Sequence, residues 1–319
     1  MNERAAASGS DQALRRVVDE VGGPACLELL AERLAGADLT TLLLEVFRRR
    51  AARIRPAEVF RRYRTDRFVA PAAVGLATLR RAEDALIGAL PGGFETVVLA
   101  PVVPLGTHSA AGEVDPRNVI ATIRGTEVAA DPTNGLALEA AARRGELLKR
   151  SPRSAGLVRL AASQRVTRAQ LFEGPVSFAH FQLLGVVTAG RDTGGREFER
   201  RHLAEHARLA AVGTLAAGVE HVTIAISCMN DAARPVFADV KDALADLAAT
   251  DVVEAPERET GLAYYRDLCF KVFASASGQR FEVGDGGFVD WTAELLGSRK
   301  ERLLISGYGL DRLALLRAG

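Results

Sequence analysis

Two strand–turn–strand runs constrain the fold of this chain most. The first joins VRLAASQRV (Val158–Val166) to FAHFQLLGVVTAG (Phe178–Gly190), and the second joins YYRDLCFKVFASA (Tyr264–Ala276) to QRFEVGDGG (Gln279–Gly287). Strands that follow one another through a short connection pair antiparallel. Because helical patterns lie between these groups, the sequence predicts an α+β fold, with an antiparallel sheet flanked by helices, rather than a doubly wound parallel sheet.

The N-terminal part of the chain has a different pattern. Apolar residues recur at helical spacing from about Asp11 to Tyr63, which predicts a small N-terminal helical module over residues 1–66 and a larger domain over residues 67–319. In the larger domain, ETVVLAPVVPL is predicted to be a strand at an edge or end, because it contains two prolines. NVIATIRGTEVAADPTN is predicted to be a hairpin that turns at Arg124 and Gly125.

The C-terminal stretch RLLISGYGLDRLALLRAG combines a strand, two glycines and a helix. Gly307 and Gly309 lie at the junction, where a missing Cβ lets the backbone come close to another group. Arg312 lies at the start of the helix, beside N–H groups that favour anions. Taken alone, this stretch favours an arginine whose stem covers apolar surface while its charge reaches water.

Composition excludes several classes of protein. The chain is 48% hydrophobic and 25% charged with a net charge of +1, which argues against polyanion binding by the whole surface. Cys26, Cys228 and Cys269 are far apart and indicate neither a zinc ribbon nor a disulfide framework. No apolar run approaches the length of a membrane span, and the polar N-terminus does not resemble a signal peptide. We expect a cytoplasmic protein with no membrane partner.

The segment HLAEH (His202–His206) matches the H-x-x-E-H spacing of some zinc helices. It lies in a charged amphipathic pattern and no third ligand is marked, so a solvated helix face is the favoured interpretation and no metal site is predicted.

Nine arginines lie between Arg48 and Arg67. Such a basic face can attract RNA. Phe47, Phe60 and Tyr63 have helix-core spacing rather than the arrangement of stacking platforms. A solvated face is therefore favoured over an RNA contact.

The first strand pair carries Arg165 and Phe181. We expect the two side chains on one surface of the sheet, where a guanidinium binds phosphate and an aromatic ring stacks on a base. The alternative is a core phenylalanine and an arginine paired with a nearby acid.

Six segments, taken in order, resemble the catalytic domain of class II aminoacyl-tRNA synthetases, most closely the histidyl branch. They are LRRAEDALIGALPGGFETVVLAPVVP (motif 1), DPTNGLALEAAARR, QRVTRAQ with HFQLLGVVTAG (motif 2), GLAYYRDLCFKVF, GDGGFVDW and SGYGLDRL (motif 3). GLAYYRDLCFKVF, which is similar to G-L-D-Y-Y-T-G-L-V-F-E, is the most specific match. The resemblance covers roughly Phe68 to the C-terminus and does not extend to an anticodon-binding domain.

The resemblance implies an ATP site, with Mg²⁺ as a further expected ligand. It implies that Arg312 contacts the γ-phosphate and Arg165 the α-phosphate, and that both serve catalysis. It also implies that Phe181 stacks on adenine while Gly307 and Gly309 let the adenosine lie against the backbone. In such a site two guanidiniums stabilise the charge that develops as a carboxylate attacks the α-phosphorus.

The same resemblance places Thr133, His180, Tyr264 and Tyr265 at the substrate. Several family residues are replaced, and the replacements are Asp131, Thr133, Thr167, His180, Val187, Thr260, Ala263 and Phe288. Histidine recognition is therefore not expected.

Two functions remain open. The first is an ATP-dependent enzyme that activates a small carboxylate or amino acid other than histidine as an adenylate. The second is a non-catalytic ligand-binding protein, because the regulatory subunit of ATP phosphoribosyltransferase also resembles this branch. In either case the motif 1-like segment Leu76–Pro104 is expected to form a homodimer.

Overall fold

The computed structural model describes residues 3–170, 178–256 and 264–316. Its α-helices are α1 (Glu3–Glu20), α2 (Pro24–Glu28), α3 (Gly36–Ala51), α4 (Pro56–Tyr63), α5 (Leu76–Gly88), α6 (Thr107–Gly112), α7 (Pro132–Arg150), α8 (Glu197–Ala216), α9 (Arg234–Ala243), α10 (Trp291–Leu296) and α11 (Leu310–Leu316). Its strands are β1 (Glu95–Thr96), β2 (Val102–Pro104), β3 (Thr126–Val128), β4 (Val158–Thr167), β5 (His180–Arg191), β6 (His221–Cys228), β7 (Thr250–Glu254), β8 (Arg266–Ala276), β9 (Gln279–Val289) and β10 (Glu301–Gly309).

The chain divides into two compact units, Met1–Thr65 with Thr122–Gly125, and Asp66–Ala121 with Thr126–Gly319. The first unit holds helices α1 to α4, and α2 continues into a turn of π-helix at Leu29–Arg33. Helices α2, α3 and α4 contain no buried side chain. No helix in the described part of the chain is long and apolar enough to cross a bilayer.

The second unit is built on one large sheet. Among the described residues it has eight strands in the order β1-β4-β5-β10-β9-β8-β6-β7. The six central strands pair antiparallel, while β1 on β4 and β7 on β6 pair parallel at the edges. Both predicted strand pairs, β4–β5 and β8–β9, are present, so the predicted α+β fold with an antiparallel sheet is confirmed.

Helices cover both faces of this sheet. Helix α7 and the short helix α10 lie on one face, here called the α7 face, over a core that includes Leu136, Leu160 and Ile305. Helices α5, α8, α9 and α11 lie on the other, called the α8 face, over a larger core. Because helices cover both faces, the central strands are buried on both sides. This explains why strands such as β5 are apolar almost throughout.

Two contacts fix α7 against the sheet. Arg144 of α7 and Glu301 of β10 are fully buried and form a two-pronged ion pair, with Nε–Oε2 at 2.8 Å and Nη2–Oε1 at 2.9 Å. At the other end of α7, Pro132 lies so close to Gly185 of β5 that a Cβ there would come within 2.8 Å of the proline ring. The first turn of α7 is therefore held against the middle of the sheet.

The structure differs from the sequence prediction between residues 95 and 128. The predicted strand over ETVVLAPVVPL is split into β1 and β2, with Pro101 between them. Strand β2 leaves the large sheet and pairs with β3, while Ala121 and Glu127 form only an isolated bridge. The predicted turn at Arg124 and Gly125 is present, and the Val128 N–H donates to the Ile120 carbonyl at 2.8 Å across it, but the strand that pairs with β3 is β2.

Candidate functional site

Strand register gathers one group of residues on the α7 face. Gly307 of β10 lies opposite Asp285 on one side and Gly185 on the other, and Gly309 lies opposite Leu183. Paired residues share a face and alternate residues return to it. Phe181, two residues before Leu183, is therefore on this face as well.

All of these residues except Gly185 line a cavity of about 270 Å³, here called the arginine cavity. Its members come from four places along the chain: the N-terminal end of α7, the β4–β5 connection with β5, strand β9, and the β10–α11 junction. They are Asp131, Arg168, Phe178, Phe181, Leu183, Glu282, Val283, Gly284, Asp285, Gly307, Gly309, Asp311 and Arg312.

Arg168 is held firmly at one wall of the arginine cavity. Its Nε donates to the carbonyl of Ala130 at 3.0 Å and its Nη2 to Oδ2 of Asp131 at 3.1 Å. Its guanidinium carbon lies 5.2 Å from the centroid of the Phe181 ring, within the range of a cation–π contact. One cation and one aromatic face are thus fixed side by side.

Arg312 lines the same cavity from the start of α11. Its Nη1 donates to the carbonyl of Glu282 at 2.8 Å, which fixes the guanidinium beside β9. The two arginines approach the cavity from different elements, and such a pair suits a ligand that carries several negative oxygens.

Gly307 leaves open space where a side chain would stand. A Cβ built on it meets no atom within 4 Å, and one built on Gly309 meets only ordinary contacts at 3.6 Å and beyond. The backbone of β10 is therefore bare along the cavity floor, so a flat ligand can lie directly against it.

A second cavity, of about 170 Å³, adjoins the first and is here called the aromatic cavity. Both cavities are lined by Asp131, Arg168, Asp285 and Gly307. The aromatic side chains of the second are Tyr264, Tyr265 and Trp291. The rings of Tyr264 and Tyr265 are 4.4 Å apart and those of Tyr264 and Trp291 are 6.0 Å apart, and Tyr265 donates its hydroxyl to Asp285 at 3.2 Å.

The first turn of α7 forms the opposite wall of the aromatic cavity. Asp131 caps this helix and accepts from the backbone N–H and the hydroxyl of Thr133, at 2.9 and 2.7 Å. Thr133 is buried and lines the cavity. Of the four residues that sequence placed at the substrate, Thr133, Tyr264 and Tyr265 therefore lie together in this cavity.

Arg165 lies on the other face of the sheet, contrary to the sequence prediction. It is paired with Gln182, whereas Phe181 is paired with Val166, so Arg165 and Phe181 point to opposite faces. Its Nε donates to Nδ1 of His180 at 2.8 Å, and its Nη2 lies 3.4 Å from Oδ1 of Asp311.

His180 belongs to this structural cluster rather than to the aromatic cavity. Its Nδ1 accepts from Arg165, so its Nε2 carries the proton and donates to the carbonyl of Ala70 at 2.6 Å. The buried carboxylate of Asp311 also accepts from the backbone N–H of Gln182 at 2.6 Å. Arg165 thus joins the end of β5 to α11.

The histidines of HLAEH are buried, so the predicted solvated helix face was wrong for them. His202 and His206 point from α8 into the sheet with exposures of 3% and 0%. His206 contacts Thr188 and Ser306, at 3.0 and 2.9 Å, while His202 bonds Glu205 at 2.7 Å. No group of three or more potential metal ligands occurs within the described ranges.

The pKa values of this cluster follow from its burial. Burial, with the charges of His202 and Arg159, lowers the pKa of His206 to about 3. Burial alone would raise the pKa of Glu205, but the hydrogen bond from His202 and the charges of His202 and Arg159 outweigh it and lower that pKa to about 2. The cluster packs α8 onto the sheet.

Solved structures with the same architecture decide the fold. Histidyl-tRNA synthetase from S. aureus superposes with a TM-score of 0.57 at 14% identity, covering 78% of this chain and 72% of that one. A histidine–tRNA ligase subunit from Alicyclobacillus acidocaldarius gives 0.56 at 15% identity, over 78% and 95% of the two chains. The fold is that of a class II aminoacyl-tRNA synthetase catalytic domain.

A third structure carries both names that the sequence resemblance suggested. It is an ATP phosphoribosyltransferase regulatory subunit/histidyl-tRNA synthetase from Bacillus halodurans, with a TM-score of 0.54 at 13% identity over 78% of this chain and 83% of that one. Neither a family model nor a curated protein sequence matches the chain. The likeness therefore establishes the class II synthetase-like fold and not an activity.

Two residues of this site were not predicted from the sequence. Some residues that were predicted lie outside the described part of the chain. Arg168 lies in the motif 2-like segment QRVTRAQ. Side chains two residues apart along a strand point to the same face, so its spacing from Val166 could have indicated its position. Asn134 follows Thr133 in the segment DPTN and gave no signal of its own. The replacements Thr260 and Ala263 lie outside the described residues.

Proposed function

We propose that the protein binds ATP in the arginine cavity and a small carboxylic acid in the aromatic cavity, and activates the acid as an adenylate. The observation that carries this proposal is that the two cavities share Asp131, Arg168, Asp285 and Gly307. A nucleotide in one cavity and an acid in the other would thus meet at a boundary that holds a fixed guanidinium.

The residues of the arginine cavity match the parts of a nucleotide. Phe181 offers a ring face for the base, and the bare backbone at Gly307 and Gly309 leaves room for the adenosine. Arg312 and Arg168 supply two cations for the phosphates. In this assignment Arg168 takes the role that the resemblance gave to Arg165, because Arg168 lines the cavity and Arg165 does not.

The chemistry needs positioning and charge rather than a protein nucleophile. A carboxylate oxygen of the acid attacks the α-phosphorus while the bond to the bridging oxygen breaks, and pyrophosphate leaves with its charge balanced by cations. Arg168 is held by Ala130 and Asp131 before any ligand binds, so little reorganisation is needed to place its charge.

A magnesium ion at this site would be held mainly by the ATP phosphates. The described residues offer no cluster of three ligands. Mg²⁺ is commonly bound through one or two carboxylates and substrate phosphates. Asp285 and Glu282 are carboxylates at the cavity wall that could contribute to such a site.

Pyrophosphate exchange tests the proposal. We expect labelled pyrophosphate to enter ATP when one acid of a broad panel is present with Mg²⁺, and the exchange to fall in Arg168→Ala and Arg312→Ala. Calorimetry with ATP alone serves as the parallel measurement. Failure of the wild type to bind ATP at millimolar concentration would refute the proposal.

A second candidate is a non-catalytic protein that binds ligands without activating them. It is favoured by one observation: Arg165, which the resemblance assigned to the α-phosphate, is engaged with His180 and Asp311 and does not line the arginine cavity. This candidate predicts ATP or acid binding in calorimetry, with no exchange for any acid.

A further inference from the structure

The strongest feature that the proposed function leaves unused is the side-chain amide of Asn134. This residue, in the first turn of α7, is 3% exposed and lines the aromatic cavity. Its Nδ2 is buried and has no hydrogen-bond partner among the described residues. An unsatisfied buried donor costs roughly as much as a lost hydrogen bond, so its retention at a cavity wall needs an explanation.

The neighbouring histidine fixes which end of the amide is left without a partner. The backbone N–H of Ala130 points at Nε2 of His108, 3.0 Å away, and a backbone N–H can only donate. Nε2 must therefore be the unprotonated nitrogen, which puts the proton on Nδ1. Nδ1 lies 2.9 Å from the Asn134 side chain and must meet its oxygen, Oδ1. The amide nitrogen is left as the free end.

His108 itself cannot easily rearrange. It is fully buried, and Glu127 accepts from its backbone N–H at 2.8 Å and from that of Gly106 at 3.0 Å. Glu127 is also buried. This chain of contacts holds the imidazole, and through it the orientation of the Asn134 amide, before any ligand arrives.

We propose that Asn134 determines the substrate class of the aromatic cavity by donating to an uncharged acceptor on the ligand. The ligand is a small, neutral amino acid whose side chain carries a hydroxyl or carbonyl oxygen. An ammonium or imidazolium side chain is disfavoured, because the amide presents a donor and its oxygen is already used. This inference rests on the proposed function only in taking the aromatic cavity as the acid site.

The rest of the cavity agrees with a compact ligand of this kind. Its volume of about 170 Å³ is below the range of drug-sized sites. Trp291 and Tyr264 supply an apolar wall for the body of the ligand, while Asp131 and Asp285 place carboxylates where an α-ammonium group could lie.

Three pairs of amino acids of similar size test the assignment: threonine with valine, asparagine with leucine, and glutamine with methionine. Calorimetry on the wild type, with and without ATP, should show at least one oxygen-bearing member binding about tenfold or more tighter than its partner. Asn134→Leu should remove that preference. Asn134→Asp should also remove it and should admit lysine or histidine.

Asn230→Leu is the matched control, since Asn230 is exposed, lies outside the residues that line either cavity and undergoes the same chemical change. It should keep the preference, and thermal melts of all variants report whether they fold. Equal binding within every pair, no binding of any of the six, or a preference that survives Asn134→Leu would overturn the assignment. If ATP binds but no such preference is found, this inference alone is rejected. If a preference is found but ATP does not bind, the proposed adenylation alone is rejected.

Discussion

The guanidinium carbon of Arg168 lies 5.2 Å from the ring centroid of Phe181, and the same guanidinium bonds Asp131 where the two cavities adjoin. In the proposed ATP site, the residues for base stacking and for phosphate binding are therefore adjacent. Because Asp131 and the Ala130 carbonyl hold the arginine in place, the arrangement does not depend on a ligand to form.

The first prediction distinguishes the residues proposed to bind the phosphates from the residue proposed to bind the base. Arg168→Ala and Arg312→Ala should each weaken ATP by roughly ten- to a hundredfold, because a charge-assisted contact is worth about 1.5–3 kcal/mol. Both should spare adenosine, which has no phosphate. Phe181→Ala should weaken ATP and adenosine alike. Calorimetry with the two ligands on the three variants makes the comparison.

Arg165→Ala is the contrasting variant. Its loss removes a partner of the buried Asp311 carboxylate, so we expect the free energy of unfolding to fall by about 1–3 kcal/mol. Its effect on ATP should be smaller than that of Arg168→Ala. The reverse order would show that Arg165, and not Arg168, is the phosphate ligand.

The antiparallel sheet could be predicted from sequence because its strand pairs are long and adjacent along the chain. The faces of the strands could not. Side chains alternate along a strand, so the relation of Arg165 to Phe181 depends on the register of β4 on β5, and a shift of one residue reverses it. The connection between these strands contains the undescribed residues 171–177, and its length gives no information on register.

The role of Asn134 is a second feature that sequence does not determine. It follows from the backbone N–H of Ala130, the tautomer of His108 and the orientation of one amide, which are contacts between separate segments. The burial of His202 and His206 is similar, because α8 packs under the sheet through a face that sequence shows as charged. A polar residue that is buried beside a polar partner cannot be distinguished from a solvated one by sequence alone.

The second prediction concerns a homodimer, which we propose to form through Leu76–Pro104. In this segment Val98 is 100% exposed and Leu76 is 70% exposed, so both apolar side chains are available to a partner. Val98→Asp should convert a dimer to a monomer, because it would place a charge in a self-complementary contact. Sedimentation at micromolar concentration measures the change, and a monomeric wild type would contradict the proposal.

The third prediction concerns the basic segment Arg48–Arg67. Arg48 and Arg49 bond Glu45, and Arg62 bonds Glu58, so part of its charge is already paired. We expect a solvated face and no RNA binding above the level of non-specific contacts. Fluorescence anisotropy with a single-stranded RNA at 50 and 200 mM salt is the measurement. Tight binding that weakens steeply with salt would identify an RNA surface instead.

The fourth prediction concerns pH and the buried His206, whose pKa burial and the nearby charges of His202 and Arg159 lower to about 3 from its ordinary 6.5. Between these two values the unfolded chain binds a proton that the native chain does not. Stability contributed by neutral His206 is therefore complete above about pH 6.5 and is lost as the pH falls toward 3.

Chemical denaturation between pH 7 and 5 isolates this effect, because the Glu205 carboxyl, with its pKa lowered to about 2, loses its contribution only below the ordinary value of 4.5. The free energy of unfolding of the wild type should fall by roughly 1–2 kcal/mol over this interval. The same fall in His206→Leu would assign the pH dependence to other groups.

The last prediction uses two glycines on neighbouring strands. A Cβ on Gly307 would meet no atom within 4 Å, whereas one on Gly286 of β9 would come within 2.5 Å of the carbonyl of Ile305. Gly307→Val should therefore leave stability unchanged or raise it by about 0.5–1 kcal/mol, since valine suits a strand better than glycine does. Gly286→Val should destabilise the sheet. If the bare backbone of β10 is where adenosine lies, Gly307→Val should weaken both ATP and adenosine at least tenfold while its melting temperature is maintained. A stable Gly307→Val protein that binds both ligands as the wild type does would remove the nucleotide from the floor of this cavity.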